Sequence, residues 1–89
     1  MKIHELKCWP EYFLPIERGK KRFEIRNDDR GFDVGDVLHL RCWSPSLKDY
    51  TGAELLVEVL YVWRSDGPIA GWKGEKFAIM SIAKLECVP

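Results

Sequence analysis

Ala53-Glu54-Leu55-Leu56-Val57-Glu58-Val59-Leu60-Tyr61-Val62-Trp63-Arg64 is the longest β-type run in the chain. Leu55, Val57, Val59, Tyr61 and Trp63 share one phase of a two-residue period, the period of a strand. Leu56, Leu60 and Val62 occupy the other phase, so the run predicts a strand buried on both faces. Ser65-Asp66-Gly67-Pro68 breaks it. Toward the N-terminus, Ser44-Pro45 through Gly52 reads as a loop. Before that loop, Val37–Trp43 is a strand with Leu38, Leu40 and Cys42 on one face. Toward the C-terminus, Ile69–Gly74 is a loop or single turn. Lys76–Leu85 is a last strand, with Phe77, Ile79, Ser81 and Ala83 opposing Ala78, Met80 and Ile82.

Three further elements complete the pattern. Lys2–Cys8 is a short strand. Trp9-Pro10 breaks it and opens a helix, because proline fits the first helical turn, where its missing N–H is not needed. Tyr12, Phe13 and Ile16 give that helix an apolar stripe, Pro15 restricts it to one or two turns, kinked or split, and Gly19 stops it. Lys20–Arg26 alternates: Phe23 and Ile25 make one face, while Arg22, Glu24 and Arg26 make a plus-minus-plus face. Asn27-Asp28-Asp29-Arg30-Gly31 is a turn by composition. The expected architecture is α+β, mainly β: five strands in a small curled sheet or partly closed barrel, which limits exposed edges, with one short N-terminal helix.

The 89 residues make a single domain, 1–89, with a modest core. Lys and Arg number 14 and Asp and Glu number 14, so the formal net charge is zero. A general polycation for nucleic acid needs excess positive charge, and any such role here must rest on a local patch or pocket. No apolar run approaches the roughly 18–20 residues that cross a bilayer, and Met1-Lys2-Ile3-His4-Glu5 lacks the order of a secretory signal. Cys8, Cys42 and Cys87 are odd in number and without a C-x-x-C pair, which points to reduced thiols in a cytoplasmic protein. His4 and His39 have no ligand-spaced neighbours, so neither a metal nor a cofactor is expected. No phosphate-binding glycine loop or G-x-S-x-G motif occurs.

The segment Arg18–Arg30 concentrates charge, with six basic residues and three acidic ones. Such residues can simply guard a strand edge. Alternatively, Glu24 between Arg22 and Arg26 can pair with the guanidiniums and orient them for phosphate or carbonyl recognition. The tryptophans carry a similar choice. Trp63 belongs to the core by its place in the apolar run. Trp9, Trp43 and Trp72 flank strand ends or loops, where they either close the core or stack a nucleobase beside the basic patch.

Gly19-Lys20-Lys21-Arg22-Phe23-Glu24-Ile25-Arg26 resembles the G-x-K-x-x-E-x-R signature of ASCH domains, members of the PUA-like superfamily. The ordered set of His4-Glu5-Leu6-Lys7, Pro10-Glu11-Tyr12-Phe13, Phe23-Glu24-Ile25-Arg26, Asp29-Arg30, Val34-Gly35-Asp36 and Tyr50-Thr51-Gly52 is similar to an ASCH-related family of unknown function found in bacteria and phages. The resemblance implies a PUA-like, five-stranded β-barrel with a helix against it. It also implies a cleft beside the barrel for RNA or a modified nucleoside, lined by Lys21, Glu24 and Arg26; the charge and aromatic patterns add Arg22, Trp9 and Trp43 as candidate contacts. One similar branch consists of amidohydrolases that cleave acetylcytidine with a lysine, a threonine three residues later and a distant glutamate. Lys21 matches that lysine, but Glu24 stands at the threonine position and removes the expected nucleophile. Glu75 is the candidate for the distant acid, and Thr51 lies too far along the sequence to be assigned the hydroxyl's role.

Overall fold

His4, Leu6 and Cys8 are buried, and Ile3, Glu5 and Lys7 are exposed, so alternation alone builds the first strand, β1 (Ile3–Cys8). The computed structural model describes residues 1–28, 30–65 and 76–85. Asp29, Trp72, Glu75 and Cys87 lie outside the described residues, as do the expected turns at 66–68 and 69–74. After β1 come α1 (Pro10–Glu17), β2 (Phe23–Asn27), β3 (Val37–Ser44), β4 (Asp49–Arg64) and β5 (Phe77–Lys84). They form one five-stranded sheet in the order β1-β3-β4-β5-β2. The β1–β3 pair is parallel and the other three pairs are antiparallel. The expected mainly β architecture with one short helix is thus present, as a curled half-barrel.

The helix is continuous over eight residues despite Pro15. Phe13 and Ile16 are buried in the core with Leu6, Leu38, Leu40, Val57, Val59 and Met80. At its end the Gly19 N–H donates to the Ile16 carbonyl at 3.0 Å, and the Lys20 N–H to the Pro15 carbonyl at 2.9 Å. These crossed bonds, with Gly19 at φ +74°, are a Schellman stop. The Lys21 N–H also reaches the Pro15 carbonyl, at 3.0 Å, which fixes where the chain enters β2.

Two expectations about strands need correction. First, the expected loop 44–52 is mostly hairpin: β4 begins at Asp49, and Trp43 and Ser44 pair with Tyr50 and Asp49. Second, β4 is not buried on both faces, since Leu56 and Leu60 are exposed. Val59 pairs with Ile82 and Tyr61 with Ser81, so Leu60 is an extra residue, a bulge. The bulge reverses the alternation: Val57 and Val59 face the core before it, and Val62 packs against the core after it. Tyr61 and Trp63 are thereby sent outward, so Trp63 is not a core residue. The structure also decides which face of β2 turns inward. Its partner β5 buries Ala78, Met80 and Ile82, and Glu24 and Arg26 lie opposite Met80 and Ala78. The charged face therefore points into the half-barrel, while Phe23 and Ile25 are 45% and 40% exposed.

β1 and β2 are the two free edges of the sheet, and no ladder joins them. Side chains span the seam instead. Arg26 Nη2 donates to the Lys7 carbonyl at 2.7 Å, and Arg30 Nη1 to the Glu5 carbonyl at 3.1 Å. The other end of β1 is fixed by Asp36. Its buried carboxylate accepts from the Lys2 N–H (3.0 Å), the Asp33 N–H (3.1 Å) and His4 Nε2 (2.9 Å). Burial pushes the Asp36 pKa up, but these hydrogen bonds outweigh it and hold the group at about 2.

Candidate ligand-binding site

The seam between β1 and β2 opens onto a cavity of about 520 Å³, lined by Lys7, Cys8, Trp9, Tyr12, Lys21, Phe23, Glu24, Ile25 and Arg26. That volume is in the range of small-molecule sites, roughly 300–1,000 Å³. Every element at the seam contributes. β1 supplies Lys7 and Cys8, the helix entry supplies Trp9 and Tyr12, the turn after Gly19 supplies Lys21, and β2 supplies the rest.

Glu24 is the centre of the floor. It is 4% exposed, and both its oxygens are engaged. Oε2 accepts from Arg26 Nε at 2.8 Å, and Oε1 lies 3.5 Å from Lys21 Nζ. Burying a carboxylate is costly unless cations and hydrogen bonds compensate, and here two cations do. The arrangement also fixes the cations. Arg26 spends two of its five N–H groups, on Glu24 and on the Lys7 carbonyl, which leaves three to donate. Lys21 Nζ lies 5.0 Å from the Tyr12 ring centroid and 5.2 Å from that of Phe23, so its ammonium is held between two aromatic faces.

The rim is aromatic. Trp9, Tyr12 and Phe23 are all exposed although each lines the cavity. Cys8 lies at the floor with a buried thiol, whose pKa is pushed up to about 11 by desolvation and then by the Glu24 charge. It stays protonated at neutral pH and is a poor nucleophile. Cys8 and Cys42 are both free and buried.

The structure brings Lys21, Glu24, Arg26 and Trp9 together and separates two expected members. Arg22 does not pair with Glu24. Its Nε donates to the Gly19 carbonyl at 3.1 Å, and it lines a separate cavity of about 320 Å³ near Lys84 and Leu60. Arg22 lies just before β2, where the two-residue strand period does not hold, and Lys21 takes the position beside Glu24 that the sequence assigned to Arg22. Trp43 is not in the cavity lining either. It lies on the outer sheet face, with Lys7 Nζ 4.8 Å from its ring centroid. Thr51 also stands apart: its hydroxyl accepts from the Ala53 N–H at 3.2 Å and lies 3.5 Å from the Cys42 carbonyl. Sequence reasoning missed Lys7, Cys8, Tyr12, Phe23 and Ile25 as lining residues. A usable signal existed for Tyr12, which the helical stripe carries next to the buried Phe13. For Phe23 and Ile25 there was none, because alternation does not say which face turns inward.

Residues 3–82 match the family described as Domain of unknown function DUF3850. The chain belongs to that family. A 42-residue stretch is 48% identical to the "Uncharacterized 12.9 kDa protein in GpA 3'region" of Escherichia phage P2, covering 47% of this chain and 38% of the phage protein. The match thus spans well under half of that relative's length. Among the described residues of the DUF3850 chain, no group of three or more His, Cys, Asp or Glu side chains is placed to hold a metal ion, and no helix is long and apolar enough to cross a membrane.

Proposed function

We propose that this DUF3850 chain is an ASCH-like member of the PUA-like superfamily that binds a nucleobase, carried by single-stranded RNA or by a modified nucleoside, in the seam between β1 and β2. The observation that carries this reading is the pairing of a fixed Lys21–Glu24–Arg26 floor with a rim of Trp9, Tyr12 and Phe23. A base is planar and apolar on its faces and polar along its edges. Aromatic rings suit the faces. The remaining N–H groups of Lys21 and Arg26 suit carbonyl or ring-nitrogen acceptors, and the spare lone pairs of Glu24 suit an exocyclic amine. Because the polar groups brace one another, little ordering entropy is lost on binding.

The alternative, an amidohydrolase for an acylated cytidine, has thinner support. The described residues that line the cavity include no serine or threonine, Thr51 is committed elsewhere, and the Cys8 thiol is protonated.

A titration of tryptophan fluorescence with single-stranded RNA and with a panel of modified nucleosides tests the proposal, with folding of each variant checked by circular dichroism. Wild type is expected to bind, and Lys21→Ala and Glu24→Ala to weaken binding by about tenfold or more, the worth of a charged hydrogen bond lost. Equal behaviour of all three proteins would remove the cleft from consideration.

A further inference from the structure

Lys7 belongs to two surfaces at once. Its carbonyl closes the seam by accepting from Arg26. Its side chain crosses to the outer face, where Nζ lies 4.8 Å from the Trp43 ring centroid and 5.9 Å from that of Tyr50. Trp43 and Tyr50 are direct cross-strand partners on β3 and β4, so their rings share one patch beside the cavity. Arg41 covers Tyr50, with its guanidinium carbon 3.8 Å from the ring centroid. The two cations are not equivalent. Arg41 is held by Glu5 at 2.7 Å and lies 3.7 Å from Glu54, so its charge is already answered. Lys7 has no ion-pair partner among the described residues.

We infer that Trp43 is a second stacking position, for the nucleotide next to the one in the cavity, and that Lys7 leaves the ring to take the intervening phosphate. This rests on the nucleobase reading above and sharpens it: the ligand is a single-stranded oligonucleotide rather than a free nucleoside. An exposed cation–π contact is worth less than a base stacked on an indole, and the displaced ammonium gains a phosphate in exchange. The free protein thus keeps the ring covered with the group that the ligand's own charge draws away. Charge separates this patch from the other aromatic one, at Tyr61 and Trp63: those rings have no cation over them among the described contacts.

The test is a length series: nucleoside monophosphate, dinucleotide, tetranucleotide and octanucleotide, each as RNA and as DNA, of mixed sequence. For wild type the affinity is expected to rise about tenfold from mononucleotide to tetranucleotide, the gain from one added stack. Trp43→Leu should abolish most of that rise, Trp43→Phe should keep most of it, and Tyr61→Ala should behave as wild type. Lys7→Gln, a substitution at an exposed position, should lower the slope of log affinity against log salt by about 1 for the tetranucleotide, and this readout does not depend on how Trp43 variants fold. A rise that survives Trp43→Leu, a loss that follows Tyr61→Ala instead, or an unchanged salt slope in Lys7→Gln would overturn the inference. Mononucleotide binding with no gain in length would defeat it while leaving the cavity reading intact. Failure of every nucleotide to bind would defeat this inference and the single-stranded RNA form of the cavity reading, whose modified-nucleoside form is tested separately by the nucleoside panel. A rise seen with only RNA or only DNA supports the inference and names the strand's source.

Discussion

Glu24 is a carboxylate turned into the half-barrel of a small domain, where an apolar side chain is the ordinary occupant. Its burial is tolerable because Arg26 at 2.8 Å and Lys21 at 3.5 Å share its charge. Such a network rarely stabilises more than a well-packed apolar set would, so stability alone does not account for it. Inward charge on an edge strand also discourages edge-to-edge pairing, and that service is compatible with binding. What distinguishes Glu24 from a mere guard is the cavity in front of it. Asp36 is the contrasting case, a buried carboxylate with a structural task. Its pKa lies at about 2, below the ordinary 3.8, so its contribution to stability is complete above about pH 4 and is lost as pH falls through 2. Chemical unfolding measured between pH 6 and pH 2 should show wild type losing roughly 2 kcal/mol more than Asp36→Asn over the acid end. Parallel pH profiles for the two proteins would mean that Asp36 does not supply this dependence.

At the scale of elements, the Gly19 stop and the Leu60 bulge decide what faces the site. Gly19 sits at φ +74° with open space where a Cβ would go, so Gly19→Ala brings no clash and tests conformation alone. It should cost about 1–2 kcal/mol in urea unfolding, the cost of a left-handed alanine. A change under a few tenths would show that the Schellman stop is not what fixes the entry to β2. The elements themselves were legible in the sequence: all five strands follow from period and punctuation, because side chains alternate in any strand, and so does the helix, although Pro15 read as a kink or split and the helix runs through it. Their faces were less legible. A two-residue period marks two faces without naming the inner one, so nothing in the sequence marked Phe23 and Ile25 as rim residues. A bulge inserts one residue without altering composition, so Trp63 looked buried and is exposed. In the turn after Gly19, only three-dimensional geometry shows that Lys21, and not Arg22, reaches Glu24.

The whole molecule is a sheet that curls without closing. Its edge strands β1 and β2 have no ladder between them, and two arginine side chains tie β2 and the turn after it to carbonyls on β1. The opening between the edges is therefore braced, and its lining falls within residues 7–26, shared among β1, α1, the turn after Gly19 and β2. Lys21, Glu24 and Arg26 could be read from one short motif, while Lys7 and Tyr12 join them only because the seam brings β1 and the helix entry against β2. The most direct test of the site is a two-dimensional amide NMR titration with a short mixed-sequence RNA. The account predicts shifts that cluster at Lys7–Trp9, Tyr12 and Lys21–Arg26. No shifts at saturating RNA, or shifts confined to the outer face of β4 around Leu56–Trp63, would contradict it.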